Sequence, residues 1–143
     1  DSIRKCTQPR TTICVRLSEQ AVNSKDPLPD DMIHLWFELP TGWKMNCADL
    51  EGPAKPPYPG LGSAECDAQQ QTLSALFDKF TDYEAENLGG RDELKRCISR
   101  TLNQTIFVEN LKTSLIRAQY YYAPEQKTEI PFLLDPCKRN WIS

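Results

Sequence analysis

The sequence predicts an α+β fold, in which an antiparallel sheet of about four strands is covered by two or three helices and stabilised by disulfides. Three observations lead to this prediction. Segments with alternating apolar residues flank the middle of the chain, the middle repeats apolar residues at helical spacing, and six cysteines are spread along the 143 residues. A chain of this length suits one domain, so we expect residues 1–143 to form a single unit.

The strands are predicted from apolar residues at every second position. Residues 11–17 and 32–39 alternate apolar and polar side chains, and a shorter strand is expected over residues 43–47. Two further strands are predicted over residues 105–109 and 113–122, which are rich in β-branched and aromatic residues.

The middle of the chain predicts two helices. From Asp67 onward apolar residues recur at the spacing of an amphipathic helix, which Gly89-Gly90 is expected to end. The residues of this stripe are Leu73, Leu76, Phe77 and Phe80. A second helix is expected to begin near Asp92. Its predicted core-facing residues are Leu94, Cys97, Ile98 and Leu102.

A loop rich in proline is predicted between the early strands and the first helix. Residues 49–66 hold four prolines and three glycines, and cysteines stand at Cys47 and Cys66. Proline and glycine at this density do not suit ladders or helices. We therefore expect residues 49–62 to be exposed at the surface.

The cysteine pattern predicts three disulfides and a secreted protein. The count is even, and no two cysteines have the C-x-x-C spacing of zinc knuckles or redox motifs. Six cysteines allow 15 pairings, which the sequence leaves open. The cysteines are Cys6, Cys14, Cys47, Cys66, Cys97 and Cys137.

Several features predict an extracellular location. No apolar run approaches the roughly 20 residues of a membrane span, and the first residues show no hydrophobic leader, so we expect a mature chain whose signal peptide has been removed. Asn103 begins a candidate N-glycosylation sequon. The net charge of −3 gives no general attraction to nucleic acid or to anionic membranes. We expect a monomer with a protein partner.

The sequence shows no catalytic pattern. His34 is the only histidine, which excludes a two-histidine acid–base mechanism. It is not accompanied by the Gly-x-Ser-x-Gly turn of a serine hydrolase, and phosphate-binding glycine loops and metal-ligand spacing are missing as well. We therefore predict that the protein is not an enzyme, with no catalytic residue, no metal and no cofactor.

Tyrosines are the predicted interface residues. In the run Tyr120-Tyr121-Tyr122, a continuous strand would place the first and third side chains on one face and the second on the other. Exposed tyrosines are frequent anchors of protein interfaces. Tyr120 and Tyr122 are therefore candidate interface residues, together with Tyr58 in the proline-rich loop.

The format of the whole chain, with six cysteines, four main strands and two helices, resembles the small secreted cysteine-rich effectors of plant-pathogenic fungi. It is most similar to the Leptosphaeria avirulence-and-suppressing effector family. The resemblance implies a four-stranded sheet with packed helices. It also implies a non-enzymatic virulence protein that binds a host protein. Plant immune receptors would recognise such a protein, or would fail to recognise it when another effector masks it. It assigns no individual functional residue.

Two other functions fit the same sequence. A secreted inhibitor of a protease or other hydrolase would present a rigid loop, for which the proline-rich residues 53–60 are suitable. An extracellular cytokine-like ligand is also compatible with six cysteines and a mildly acidic chain.

Overall fold

The computed structural model describes residues 10–47, 58–104, 114–132 and 140–143. Within these ranges the chain is mostly β-strand, with two short α-helices and one short 3₁₀ helix. In chain order the elements are β1 (Arg10–Arg16), α1 (Glu19–Asn23), β2 (Ile33–Glu38), β3 (Trp43–Met45), β4 (Leu61–Asp67), β5 (Thr72–Phe77), α2 (Asp82–Leu88), the 3₁₀ helix (Arg91–Glu93), β6 (Lys95–Gln104), β7 (Leu115–Tyr120), β8 (Ala123–Pro131) and β9 (Asn140–Ile142).

The strands form two sheets. One sheet has the order β3-β6-β1-β9, and the other has the order β4-β5-β2-β7-β8. Because side chains alternate across each strand, each sheet presents one apolar face. The two apolar faces meet in a shared hydrophobic core, so the molecule is a β-sandwich. The largest fully buried apolar side chains of this core are Phe37, Phe77, Ile13, Leu35, Leu73, Leu94, Ile98, Ile116 and Ile142.

The paired strands run antiparallel except for β1 and β9, which are parallel. Ile13 lies opposite Asn140 in this pairing. Asn140 is buried, and its Nδ2 donates a hydrogen bond at 3.4 Å to the Oγ1 of Thr11, 129 positions away in the chain. The pairing therefore joins two segments that are distant in the sequence.

The predicted α+β fold, with one sheet of about four strands under two or three helices, is wrong. The described residues form two sheets that cover each other, where helices were expected to cover one sheet. The helices α1 and α2 have five and seven residues, and Ala85 is their one buried residue. The four-stranded sheet with packed helices that the effector resemblance implied is not observed in this part of the chain.

The segment predicted as a helix from Asp67 is mainly the hairpin of β4 and β5. Leu73, Ala75 and Phe77 face the core, and Leu76 lies half-buried on the other face of the sheet. A spacing of four positions, as between the two large core residues of β5, fits both a strand face and a helix face. Ala75, which lies between them on the core face, is small, so the alternation typical of a strand is weak. Leu76, on the opposite face, completes the spacing typical of a helix.

The second predicted helix is the strand β6, preceded by the 3₁₀ helix. Its apolar residues Leu94, Ile98 and Leu102 are again four positions apart. The positions between them are Arg96 and Arg100, which are only 4% and 3% exposed. These two arginines interrupt the alternation of apolar residues expected of a strand and leave apolar residues on the core side only at every fourth position. That spacing is typical of a helix, so the sequence predicted the wrong element.

The other element predictions had mixed outcomes. β1, β2 and β3 confirm the strands predicted over residues 11–17, 32–39 and 43–47, and β7 confirms the one predicted over residues 113–122 only as far as Tyr120, where it ends. Gly89 ends a helix as predicted, with a φ of 105° after α2. The predicted strand over residues 105–109 lies outside the described residues.

The predicted loop over residues 49–66 is partly replaced by a strand. β4 occupies Leu61–Asp67 and forms one edge of the five-stranded sheet. Pro59 and Gly62 are exposed as predicted, whereas Tyr58 is half-buried. Residues 49–57 lie outside the described part of the chain.

A buried ion pair fixes α2 on the sandwich. The guanidinium of Arg96 donates two hydrogen bonds of 2.7 Å to the carboxylate of Glu84. It also donates to the backbone carbonyls of Asp78 and Lys79, and it lies 4.7 Å from the ring centroid of Phe80. The carboxylate and the carbonyls together compensate the cost of burying this charge.

Gly60 allows the backbone to pass close to this guanidinium. Its φ is +79°, a region that glycine enters without strain. A Cβ atom at this position would lie 2.4 Å from the Nε of Arg96, so no larger residue fits without displacing the arginine.

A second arginine connects the two helices. Arg91 donates to both carboxylate oxygens of Asp82 at the start of α2. It also donates to the carbonyl oxygens of Ala21, Ser24 and Asp26, in and after α1, at 2.8–3.0 Å. This side chain therefore holds the segment after α1 against the beginning of α2.

Four of the six cysteines are placed, and all four are paired. Cys14 and Cys97 lie directly opposite each other on β1 and β6, and Cys47 is bonded to Cys66. Cys97 is on the outer face of its strand, which corrects the prediction that it points at the core. Disulfide bonding is thus confirmed for these four, while Cys6 and Cys137 lie outside the described residues.

Candidate binding site at the β7–β8 hairpin

The tyrosine run forms the tip of the β7–β8 hairpin. β7 ends at Tyr120 and β8 begins at Ala123, so Tyr121 and Tyr122 make the turn. The N–H of Tyr121 donates to the carbonyl of Met32 at 3.0 Å, and the N–H of Tyr122 donates to Asp31 Oδ2 at 2.9 Å. The turn is therefore held to the chain just before β2.

The two rings at the tip are open to solvent. The side chains of Tyr121 and Tyr122 are 50% and 77% exposed. Their ring centroids lie 4.9 Å apart with an angle of 87° between the planes, which is the edge-to-face arrangement that aromatic rings favour. Backbone and ring contacts thus restrict both side chains before any partner arrives.

Tyr120 differs from its two neighbours. It lies opposite Ile33 on the core-facing side of the sheet and is half-buried. Burial raises the pKa of its phenol, and the negative charge of Asp31 raises it further. This side chain is therefore a neutral hydroxyl at physiological pH and not an exposed interface residue.

The surroundings of the tip are acidic. Asp31 contacts the turn directly, and its Oδ1 is buried without a hydrogen-bond partner. The adjacent Asp30 is paired with Lys79, whose hydrogen bond and charge lower the pKa of this carboxyl. Glu125 follows in β8 and is exposed. A complementary partner would therefore present positive charge to these carboxylates.

A pocket of about 330 Å³ lies beside the hairpin, between the two sheets. Its apolar wall includes buried residues of both sheets, Val15 on β1, Ile33 on β2 and Ala118 on β7. Leu17, just after β1, and Phe80, after β5, complete this wall. Tyr120, Thr128 and Gln126 also line it, and the last two belong to β8.

The only histidine lies on the outer face of the five-stranded sheet. His34 Nε2 is 3.2 Å from Ser74 Oγ, and His34 Nδ1 is 3.5 Å from the side-chain nitrogen of Gln119. This arrangement fits a neutral ring that donates from Nε2 and accepts at Nδ1. Nearby, Arg117 lies over Trp36 at 5.1 Å from the ring centroid.

His34 should make the stability of the protein depend on pH near neutrality. Burial lowers its pKa below the usual 6.5, and the charge of Arg117 adds to the effect. The unfolded chain therefore binds this proton more readily, and the stability that the neutral ring contributes is present above pH 6.5 and is lost as the pH falls through the folded-state pKa.

We expect the urea midpoint of the wild type to decrease between about pH 7.5 and about pH 5.5, and that of His34→Gln to decrease less. Equal decreases in the two proteins would show that His34 is not responsible.

The remaining predicted site residues are separated from this hairpin. The hydroxyl of Tyr58 donates to the carbonyl of Ser99 on β6 at 2.7 Å, in the part of β6 that does not pair with β3. Tyr58 is half-buried, and this hydrogen bond supports the fold. Asn103 is exposed on β6, while Thr105 of its sequon lies outside the described residues.

Sequence reasoning missed the role of Tyr121. It assumed a strand through residue 122, because the run contains no Gly, Asn, Asp or Pro that would indicate a turn. Neither turn residue needs a positive φ, so tyrosine is tolerated at both positions. The proline at Pro124 was the available signal that the strand was interrupted.

Within the described ranges, no helix is long and apolar enough to cross a membrane. No three His, Cys, Asp or Glu side chains of the same ranges could together hold a metal ion. In comparisons with protein-family models and with curated protein sequences, nothing matches this chain.

Proposed function

We propose that the protein is a secreted, non-enzymatic binding protein that docks onto a host or other extracellular protein through Tyr121 and Tyr122. The observation that carries the proposal is the pair of exposed rings on a turn whose backbone is hydrogen-bonded to residues 31 and 32. This is the surface-contact activity predicted for an effector-like protein.

The hairpin tip has the energetic properties of an interface anchor. Tyrosine buries a large area at low conformational cost, because its side chain has only two torsions. Here the turn and the edge-to-face contact already restrict both rings. The two side chains therefore lose little further conformational freedom on binding, so more of the contact energy becomes affinity.

The charge around the tip favours a partner with a basic surface. Asp31 contacts the turn directly, and Glu125 lies three residues after Tyr122 in the chain. Asp30 precedes Asp31 and is paired with Lys79. Complementary charge speeds association and disfavours the wrong partners. The proposed partner therefore offers an aromatic-accepting groove with a basic rim.

The disulfides support an extracellular site of action. Structural disulfides persist in oxidising compartments such as the secretory pathway and the extracellular space. Two such bonds link parts of the chain 83 and 19 residues apart.

Replacing both tip tyrosines by alanine should abolish partner capture. We expect the wild type to retain a specific protein from host extracellular fluid and Tyr121→Ala/Tyr122→Ala to lose it. With the purified partner, the double substitution should weaken binding by about 30-fold or more, equivalent to roughly 2 kcal/mol. Surface plasmon resonance measures this difference.

Tyr83→Ala is the matched control, because Tyr83 is 76% exposed but lies on α2. Tyr83→Ala should bind the partner with the affinity of the wild type. His34→Ala should do the same if the protein acts by binding without catalysis. Equal affinity of the double variant and the wild type would exclude the tip as the anchor. Loss of activity in a folded His34→Ala variant would exclude the non-enzymatic function.

A further inference from the structure

The pocket between the sheets exists because β8 departs from its partner strand. Gln119 pairs with Lys127, yet the next residue of β7, Tyr120, pairs with Ala123. Residues 124–126 are therefore extra on the β8 side. Irregularities of this kind redirect a strand and are common beside functional sites. This one opens the seam between the sheets where the pocket lies.

The inward-facing walls of the pocket carry no charge. Tyr120 and Thr128 lie opposite the core residues Ile33 and Ala118, so they share the core-facing side of the sheet. Both provide hydroxyl groups. They stand beside five buried apolar side chains of the wall, and Ser18, Ala21, Gln126 and Ser143 line the pocket as well.

Three charged residues, Arg16, Glu125 and Lys127, also line the pocket, and two of them contact residues outside it. Arg16 is on the outer face of β1, where its guanidinium lies 4.7 Å from the ring centroid of Trp141. Lys127 lies 3.4 Å from a carboxylate oxygen of Glu129. Glu125 belongs to the three extra residues and is exposed.

We propose that this pocket binds a small, uncharged and mainly apolar molecule that carries one hydrogen-bond acceptor. Its apolar part lies against Val15, Leu17 and Ala118, and the hydroxyl of Tyr120 donates to the acceptor. The volume of about 330 Å³ is at the lower end for ligand sites, and an apolar wall with few polar groups is their usual composition. An ionised ligand would lose its hydration without a compensating charge.

The size of the pocket also decides between classes of ligand. A peptide helix or a second copy of the chain needs an extended interface, whereas this half-open cleft of about 330 Å³ lies between the two sheets and is lined by residues of both. A small molecule is the occupant that fits.

The test uses the neutral fluorescent probe N-phenyl-1-naphthylamine, whose emission rises in apolar surroundings, and its displacement by six-carbon competitors. We expect saturable binding to the wild type and displacement by 1-hexanol but not by hexanoate or hexylammonium. Ala118→Leu, which fills the floor, should weaken probe binding at least about tenfold. Tyr120→Phe should weaken competition by 1-hexanol roughly threefold to tenfold and leave the probe itself nearly unaffected.

Thermal unfolding of each variant establishes that it is folded. If Ala118→Leu fails this check, Ala21→Leu replaces it, because Ala21 also lines the pocket and is only half-buried, so a larger side chain there fills the same space. Tyr121→Ala/Tyr122→Ala is the control and should bind the probe as the wild type does, whether or not the tip binds a protein. The proposal is overturned if the wild type shows no saturable binding, if hexanoate competes as well as 1-hexanol, or if the folded variant that fills the pocket binds the probe like the wild type.

Discussion

Replacing Glu84 by Ala should lower the free energy of unfolding by about 3 kcal/mol, measured by urea denaturation at neutral pH. Arg96 is 4% exposed, and the substitution removes both of its 2.7 Å contacts with a carboxylate. The guanidinium would remain buried with only carbonyl acceptors. Glu84 itself is 33% exposed, but the charge left behind on Arg96 is buried, so the loss exceeds that of a surface ion pair.

Glu86→Ala provides the matched control on the same helix. Glu86 is exposed, and we expect its substitution to change stability by less than about 0.5 kcal/mol. The hydrogen bonds from Arg96 also lower the pKa of Glu84, so its contribution is present above about pH 4.5 and lost as the pH falls through the folded-state pKa. The difference in the free energy of unfolding between the wild type and Glu84→Ala should therefore become smaller at acidic pH. Equal losses from Glu84→Ala and Glu86→Ala at neutral pH would contradict this account.

Removing the Cys14–Cys97 disulfide should have an even larger effect. The bond closes a loop of 83 residues, and the entropy of that loop in the unfolded chain corresponds to about 4.5 kcal/mol. The Cys47–Cys66 bond closes 19 residues, which corresponds to about 3 kcal/mol. Cys14→Ala/Cys97→Ala should therefore unfold at a lower urea concentration than Cys47→Ala/Cys66→Ala.

Titration of free thiols in the denatured, unreduced variants is the necessary control. Each double variant should show no free thiol, since the sequence predicts that all six cysteines of the wild type are bonded. If Cys47→Ala/Cys66→Ala unfolded at the lower urea concentration, the entropy of the unfolded chain would not be the main source of the stabilisation by these disulfides.

The sequence allowed four strands to be located but not the β-sandwich they belong to. Strands β1 and β2 were recognised because every second residue is a large apolar one. β6 was not recognised, because Arg96 and Arg100 occupy core-facing positions. Their burial depends on partners such as Glu84 and the carbonyl of Asn46, which are distant in the chain. Local patterns therefore could not reveal that these charges are compensated.

The candidate site was recognised only in part, for a similar reason. Three consecutive tyrosines indicated an interface, but which of them are exposed depends on where the strand turns. That position is fixed by contacts of the turn with Asp31 and Met32. The hydrogen bond to Asp31 spans 91 residues, so no local signal identified it. The pocket depends on the altered pairing of β7 and β8, which is equally absent from local patterns.

The parallel pairing of β1 with β9 has a consequence for the order of folding. Among the strands of the described residues, only the β4–β5 and β7–β8 hairpins join neighbours that follow each other closely in the chain. β1 sits between β6 and β9, so both of its ladders require the closure of long loops. Loop closure costs entropy before contacts form, and proteins rich in such pairings fold in milliseconds to seconds rather than microseconds. During synthesis one edge of β1 therefore stays unpaired until residues beyond 139 have left the ribosome, even if β6 already pairs with the other edge.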